Sequence, residues 1–166
     1  HYPLRRQRQM CIRDRVLSKS NLDGEIDTVL NAIGSDSRIG NKYMRFGFGF
    51  GGPCFPRDNR AFAAYATQVG VEHNIGTTTD NFNDAHAAFL KGWAIKKNIR
   101  DLPFLFDYVS YKPDTDILEE SQQYRLCLDL LDSGYKVYCL DDKFKDKCDN
   151  RIIFETPSED TCPIDL

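Results

Sequence analysis

The spacing of apolar residues predicts helices in the first two thirds of the chain. Over residues 25–33, apolar side chains recur at intervals of three and four, which predicts an amphipathic helix closed by Gly34. An alanine-rich stretch after Asp58 predicts a second helix with Asp58 near its N-cap. A third, long helix is predicted over residues 80–98, where lysines in the C-terminal half complement the helix dipole.

From Pro103 onward the pattern predicts a β-α-β unit. Apolar and aromatic residues over 104–109 and 135–140 predict two strands, and residues 119–133 between them predict a helix. Cys127 and Cys139 fall on apolar positions of these elements and are expected to be buried packing residues. After Asn150 only one short apolar run follows, too little to complete a doubly wound sheet.

These elements predict an α/β fold in which a mainly helical region precedes a partial Rossmann-like β-α-β domain. Residues 16–98 are expected to form the helical region and residues 99–166 the truncated β-α-β domain. Residues 1–15 contain five arginines with almost no apolar periodicity and resemble translated sequencing-adapter read-through. We therefore expect that segment to be non-native and exclude it from the fold prediction.

The amino-acid composition gives no indication of binding to nucleic acid, membrane or metal. The formal net charge is only -3 and charged residues make up 28% of the chain, which does not favour binding to nucleic acid. No apolar run approaches the roughly 20 residues needed to span a bilayer. The six cysteines show no metal-site spacing and no secretory signal is visible, so reduced thiols in a cytoplasmic protein are expected.

The stretch over residues 46–58, F-G-F-G-F-G-G-P-C-F-P-R-D, carries the strongest candidate for chemistry. Its single thiol, Cys54, lies between two prolines in a stiff loop just before a predicted helix, with Arg57 and Arg60 nearby. Such surroundings favour a nucleophilic thiolate. The glycines do not fit the register of a dinucleotide fingerprint, so backbone amides that cradle a sugar or phosphate are the expected use.

Three separate motifs resemble the UDP-glucose/GDP-mannose 6-dehydrogenase family. Residues 51–58, G-G-P-C-F-P-R-D, are similar to its catalytic cysteine loop. The R-I-G of residues 38–40 begins sixteen positions before Cys54, as in the family. Residues 111–116, Y-K-P-D-T-D, resemble its K-P-x-T-D segment. The resemblance covers about residues 18–142.

The resemblance implies an NAD-dependent enzyme that oxidises the C6 alcohol of UDP-glucose, or of a related UDP- or GDP-sugar, to the uronate. Cys54 would attack an aldehyde formed by a first oxidation, and a second oxidation would give a thioester that water hydrolyses. Asp58 would orient or activate that water, and Arg57 would face the cofactor phosphates. The NAD-binding domain itself would precede this sequence.

The resemblance also implies a set of substrate-binding residues and a homodimer formed through the long helix. In the family, the arginine of R-I-G reaches the sugar bound to the partner subunit, and the aromatic-lysine pair contacts the nucleotide sugar. The residues expected to bind substrate are Arg38, Tyr43, Phe46, Gly51, Tyr111 and Lys112.

One departure affects the expected substrate. The family pattern D-D-I-R-E-S is replaced by D-I-L-E-E-S over residues 116–121, so Glu119 takes the place of a cation. The preferred sugar nucleotide therefore stays open.

Other roles stay open for several of these side chains. A solvated loop charge would also explain Arg38 and Lys112, and simple packing would explain Tyr43. Helix capping would explain Asp58, and a charge that merely tunes the thiol would explain Arg57.

Two other functions are possible. The chain could be a non-catalytic dimerisation or nucleotide-sugar-binding module that retains the loop as a relic. A thiol hydrolase using Cys54 with His73 or His86 is less favoured, because neither histidine lies in a supporting motif.

Overall fold

The computed structural model describes residues 16–17, 19–42, 46–72 and 74–166. These residues form two compact units, the first ending at Gly49 and the second spanning residues 50–165. The first unit contains a 3-10 turn (Asp23–Glu25) followed by helix α1 (Ile26–Gly34). The buried side chains of Ile26 and Leu30 lie four residues apart on one face of α1, as the apolar spacing predicted.

Helices α2 (Phe55–Gln68) and α3 (Ile75–Lys97) pack against each other in the second unit. The predicted start of α2 near Asp58 is wrong, because the helix begins at Phe55 with Cys54 in the N-cap position. Pro56 is tolerated in the first turn because the N–H that it lacks would have no partner within the helix.

Helix α3 also begins earlier than predicted. The side chain of Asn74 accepts a hydrogen bond from the backbone N–H of Thr77 and caps the helix. The threonines that suggested a cap near Asp80 lie inside the helix. Thr79, for example, donates its hydroxyl to the carbonyl of Ile75 one turn earlier, which satisfies that hydroxyl without interrupting the helix.

The sheet has three parallel strands in the order β2-β1-β3, namely β1 (Phe104–Phe106), β2 (Val137–Cys139) and β3 (Cys162–Pro163). Helix α4 (Gln122–Leu131) makes the crossover from β1 to β2, so the predicted β-α-β unit is confirmed with shorter elements. The sequence prediction missed β3, which is only two residues long. Its proline is compatible with an edge strand, where one N–H is not needed.

The core of the second unit surrounds β1. Phe104 and Phe106 are buried, as is Phe144 in the turn after β2. Cys127 and Cys139 are fully buried, which confirms them as packing residues. Helix α3 packs on both α2 and α4. The predicted division into a helical region, ending at residue 98, and a β-α-β domain, beginning at residue 99, stays a prediction. No described helix is both long and apolar enough to cross a bilayer.

The close approach of α2 and α3 depends on Gly76. A Cβ at Gly76 would lie 2.9 Å from the carbonyl oxygen of Asn59 and 3.0 Å from the Cβ of Ala63. The Asn59 side chain also donates a 2.8 Å hydrogen bond to the Gly76 carbonyl. We expect Gly76→Ala to lower the free energy of unfolding by about 1–3 kcal/mol in chemical denaturation, because the two helix backbones would have to separate.

Gly92→Ala on the same helix is the matched control. A Cβ at Gly92 would have no atom within 4 Å, so alanine is expected to raise the free energy of unfolding by about 0.5–1 kcal/mol through helix propensity. Equal effects at both positions would contradict the close packing at Gly76.

Candidate active site

Cys54 occupies the N-cap position of α2, and its thiol is exposed and not part of a disulfide. The backbone carbonyl of Cys54 accepts a 2.8 Å hydrogen bond from the N–H of Asp58, which closes the first helical turn. The thiol is therefore held at a helix N-terminus, where the helix dipole favours a negative charge. This is a suitable position for a nucleophilic cysteine.

The two glycines before Pro53 let this loop pack closely on the turn that precedes α4. A Cβ at Gly51 would lie only 2.2 Å from the carbonyl oxygen of Glu120. Gly52 has a φ of +84°, and a Cβ there would lie 2.6 Å from the ring of Tyr111. Only glycine fits both requirements. The predicted thiol loop and the predicted Tyr111 segment are thus brought together.

Asn83, on α3, fixes the start of the loop. Its side-chain oxygen accepts a 3.0 Å hydrogen bond from the N–H of Phe50, and its amide nitrogen donates a 2.9 Å bond to the Phe50 carbonyl. Asn83 was not predicted from the sequence, because it is one of several polar residues on a partly exposed helix and its partner lies 33 positions away.

Arg60 joins three segments around the loop. Its guanidinium donates to Asp80 of α3 at 2.9 Å and to Glu120, in the turn before α4, at 2.6 Å. The hydrogen bond to Glu120, followed by that to Asp80, raises the pKa of Arg60 above its usual value. From sequence, Arg60 was noted only as a charge near the thiol. The structure shows a clamp that holds α2, α3 and the turn together.

Arg57 and Asp58 lie beside each other in the first turn of α2. The Arg57 Nε donates to Asp58 Oδ1 at 2.9 Å, and both side chains are largely exposed. This hydrogen bond raises the pKa of Arg57, with smaller contributions from the charges of Asp58 and Cys54. The capping explanation of Asp58 is wrong, because that residue lies inside the helix. Its catalytic role and the cofactor role of Arg57 stay predictions.

Tyr111 and Lys112 form a structured turn. The Tyr111 ring packs on Gly52, and the Lys112 Nζ lies 5.1 Å from the centre of that ring, in a cation–π arrangement. The hydroxyls of Ser110 and Thr115 donate to the carbonyl of Lys112 at 2.6 Å and 2.9 Å. The Lys112 ammonium is exposed, so it is available to an anionic ligand such as a phosphate.

Three of the predicted substrate-binding residues belong to the first unit or fall outside the described residues. Arg38 donates from its Nε to Asp36 Oδ1 at 3.0 Å, and this bonding raises the pKa of Arg38 and lowers that of Asp36. Phe46 is half-buried, and Tyr43 lies outside the described residues. Their roles in substrate binding stay predictions.

His86 is fully buried on α3, where its ring stacks on Phe89 with 5.8 Å between the ring centres. The expectation that it is structural fits this burial. His73 lies outside the described residues.

Residues 15–85 match the UDP-glucose/GDP-mannose dehydrogenase family, central domain. The chain is 31% identical over 139 residues to the GDP-mannose 6-dehydrogenase of Pseudomonas aeruginosa, covering 75% of this chain and 31% of that protein. It is 32% identical over 118 residues to the UDP-glucose 6-dehydrogenase AglM of Haloferax volcanii, covering 66% of this chain and 26% of that protein. The chain thus spans less than a third of the length of either relative.

Solved structures agree with the fold. A UDP-glucose dehydrogenase from the hyperthermophilic archaeon Pyrobaculum islandicum superposes with a TM-score of 0.73 at 24% identity, over 93% of this chain and 37% of that one. A GDP-mannose dehydrogenase from Pseudomonas aeruginosa, solved as a ternary complex, superposes with a TM-score of 0.56 at 27% identity. That match covers 77% of this chain and 32% of the other. The predicted α/β fold class is confirmed.

The exposure of Cys54 predicts selective alkylation. Burial raises the pKa of Cys139 to about 11 and that of Cys127 well above its usual value, so neither thiol ionises appreciably at neutral pH. With iodoacetamide at pH 7.5, we expect Cys54 to be labelled about tenfold or more faster than either buried thiol, as measured by peptide mass spectrometry. Equal labelling of all three would contradict the exposed site.

Gly52→Ala tests the packing of the loop on Tyr111. Alanine is expected to lower the free energy of unfolding by about 2–4 kcal/mol, because left-handed backbone strain adds to a clash with the ring. Gly134→Ala is the control, since Gly134 has a φ of +89° but a Cβ there would have no atom within 4 Å. It is expected to cost about 1–2 kcal/mol in the same denaturation assay. If the two variants lose equal stability, the ring contact does not hold the loop.

Proposed function

Because the chain belongs to the UDP-glucose/GDP-mannose dehydrogenase family, we propose that it carries the covalent-catalysis loop of a nucleotide-sugar 6-dehydrogenase. The observation that carries this proposal is the exposed Cys54 thiol at the start of α2, on a loop whose glycines pack against Tyr111 and Glu120. The proposed nucleophile and the turn that we propose to bind the nucleotide sugar therefore lie in segments that pack together. An exposed, structured thiol of this kind favours catalysis over a fold relic.

In the proposed chemistry, the Cys54 sulfur adds to the C6 aldehyde of a nucleotide sugar. The thiol proton passes to the aldehyde oxygen, and the sugar is held as a thiohemiacetal. After oxidation to a thioester, water releases the uronate. We assign the orientation of that water to Asp58, which lies one helical turn from Cys54 and is largely exposed. A thiol suits this role because its acyl adduct is readily opened by water.

The substrate would be held mainly through its diphosphate and sugar. The exposed ammonium of Lys112 carries a positive charge suited to phosphate, and the Tyr111 ring that it overlies positions it. Gly51 would contribute indirectly, because its packing on the Glu120 carbonyl shapes the loop beside the sugar. Arg38, Tyr43 and Phe46 are further residues that we propose to bind substrate. The proposed assembly is a homodimer formed through α3, and its proposed location is the cytoplasm.

NAD is the proposed hydride acceptor, but the described residues do not form a cradle for it. Gly51 and Gly52, the two glycines of the loop that leads into α2, are covered by the Glu120 carbonyl and the Tyr111 ring. Arg57 is the described side chain that we assign to the cofactor, through its phosphates. The remainder of the NAD site is therefore assigned to a part of the protein outside these residues.

Ligand protection of Cys54 tests the proposal on the chain itself. We expect UDP-glucose at millimolar concentration to slow the iodoacetamide reaction of Cys54 by about threefold or more, because the sugar would cover an otherwise exposed thiol. Lys112→Gln is expected to weaken this protection, while Lys147→Gln, which removes an exposed lysine from another segment, leaves it unchanged. GDP-mannose measured in parallel identifies the preferred nucleotide sugar.

The C6 aldehyde of UDP-glucose separates catalysis from binding alone. A catalytic thiol forms a covalent adduct, so the aldehyde should block Cys54 at about tenfold lower concentration than UDP-glucose does. Equal protection by both compounds would instead support the non-catalytic binding module. If neither compound protects Cys54, the proposed function is wrong.

A further inference from the structure

The turn before α4, which carries Glu119 and Glu120, packs on the loop that carries the thiol. The backbone of Gly51 lies against the Glu120 carbonyl, and Arg60, two turns into α2, binds the Glu120 carboxylate. The turn that contains Glu119 and Glu120 is therefore fixed along the first turns of the helix that Cys54 caps. Glu119 precedes Glu120 directly and is exposed.

The charged side chains near the thiol differ in how many ion pairs they form. Arg60 is occupied by two carboxylates, those of Asp80 and Glu120, so its positive charge is neutralised locally. Arg57 shares its charge with Asp58. The Lys112 ammonium lies over the Tyr111 ring, which packs on Gly52. The negative charge of Glu119 also acts on Arg57, as does that of Cys54 when ionised. The charged side chains of the loop, of its contacts and of the two turns packed on it are three cations and four carboxylates, which leaves one net negative charge: Arg57, Arg60 and Lys112 against Asp58, Asp80, Glu119 and Glu120.

We propose that Glu119 is a specificity-determining residue that makes the surroundings of Cys54 unfavourable to anionic groups. The site then accepts an uncharged hydroxymethyl or aldehyde carbon in preference to a carboxylate. This inference rests on the proposed function for the identity of the substrate, a nucleotide sugar that is still uncharged at C6. It also implies that a carboxylate product is repelled from the thiol after it is released.

The physical basis is a Coulomb interaction between partly exposed charges. A charge several ångströms from a reacting group changes its encounter with an ion by a few-fold at low ionic strength, and salt weakens the effect within about 10 Å at 0.1 M. A neutral reagent does not feel this field. The ratio of the reaction rates of an anionic and a neutral reagent at Cys54 therefore reports the local charge.

The experiment compares iodoacetate with iodoacetamide on the full chain at low ionic strength. The rate at Cys54 is followed by peptide mass spectrometry, and the iodoacetate-to-iodoacetamide ratio is the readout. Glu119→Gln is expected to raise this ratio about two- to fivefold, because it removes a negative charge. Glu119→Asp should keep the ratio near that of the unaltered chain, and Arg57→Gln should lower it.

Glu72→Gln is the matched control for the loss of one carboxylate. Glu72 follows the far end of α2, a 14-residue helix that is about 21 Å long, so its charge is screened at Cys54. This variant should leave the ratio unchanged. The effect of Glu119→Gln should also disappear at about 1 M salt, where the screening length falls to about 3 Å.

An unchanged ratio in Glu119→Gln would overturn the inference. An equal change in both rates would do the same, because the ratio would be unchanged and the exposure or the ionised fraction of the thiol would account for the change. These results are independent of protection by nucleotide sugars, which tests the proposed function separately. If protection fails while the ratio shifts as expected, the charge selectivity stands and the dehydrogenase assignment falls.

Discussion

The close packing of two glycines on the segment between β1 and α4 is the constraint on which the candidate site depends. Gly51 meets a backbone carbonyl and Gly52 meets an aromatic ring, in both cases at distances that leave no space for a Cβ. One of these two backbones also requires a left-handed conformation. The consequence is that the loop before α2 and the turn at Tyr111, from the β-α-β unit, lie against each other.

Polar contacts reinforce this packing from three directions. Asn83 holds the backbone at Phe50, Arg60 ties the first turns of α2 to α3 and to Glu120, and Ser121 caps α4 while donating to the carbonyl of Val109. Exposed ion pairs alone contribute little to stability, typically about 0–1 kcal/mol each. The Arg60 ion pairs join segments that are already packed, so these ion pairs orient the loop more than they stabilise the fold.

The sequence predicted the parts of the fold that depend on local pattern. Helix α1 and the β-α-β unit followed from apolar spacing, and the burial of Cys127 and Cys139 followed from their place in that spacing. Helix starts were less predictable. Cys54 is an uncommon N-cap residue whose side chain makes no capping bond, so the run of Gly and Pro masked a helix that had already begun.

Some residues of the candidate site could be predicted from local sequence and others could not. Cys54 and Tyr111 were found because motifs mark them, whereas Asn83 and Arg60 act through partners 33 and 60 positions away and no local signal reveals such pairings. Strand β3 was missed for a similar reason, since it is defined by pairing with β1 and not by its own composition.

The double hydrogen bond between Asn83 and Phe50 has a mechanical consequence. An amide side chain that engages both the N–H and the C=O of one residue imitates the pairing of two strands, and it joins the loop to α3 as a rigid lever. Any rotation of α3 about its axis would therefore carry the start of the thiol loop with it. Because α3 also packs on α4, this side chain adds a second link between the β-α-β unit and the thiol loop, beside the direct packing of Gly51 and Gly52.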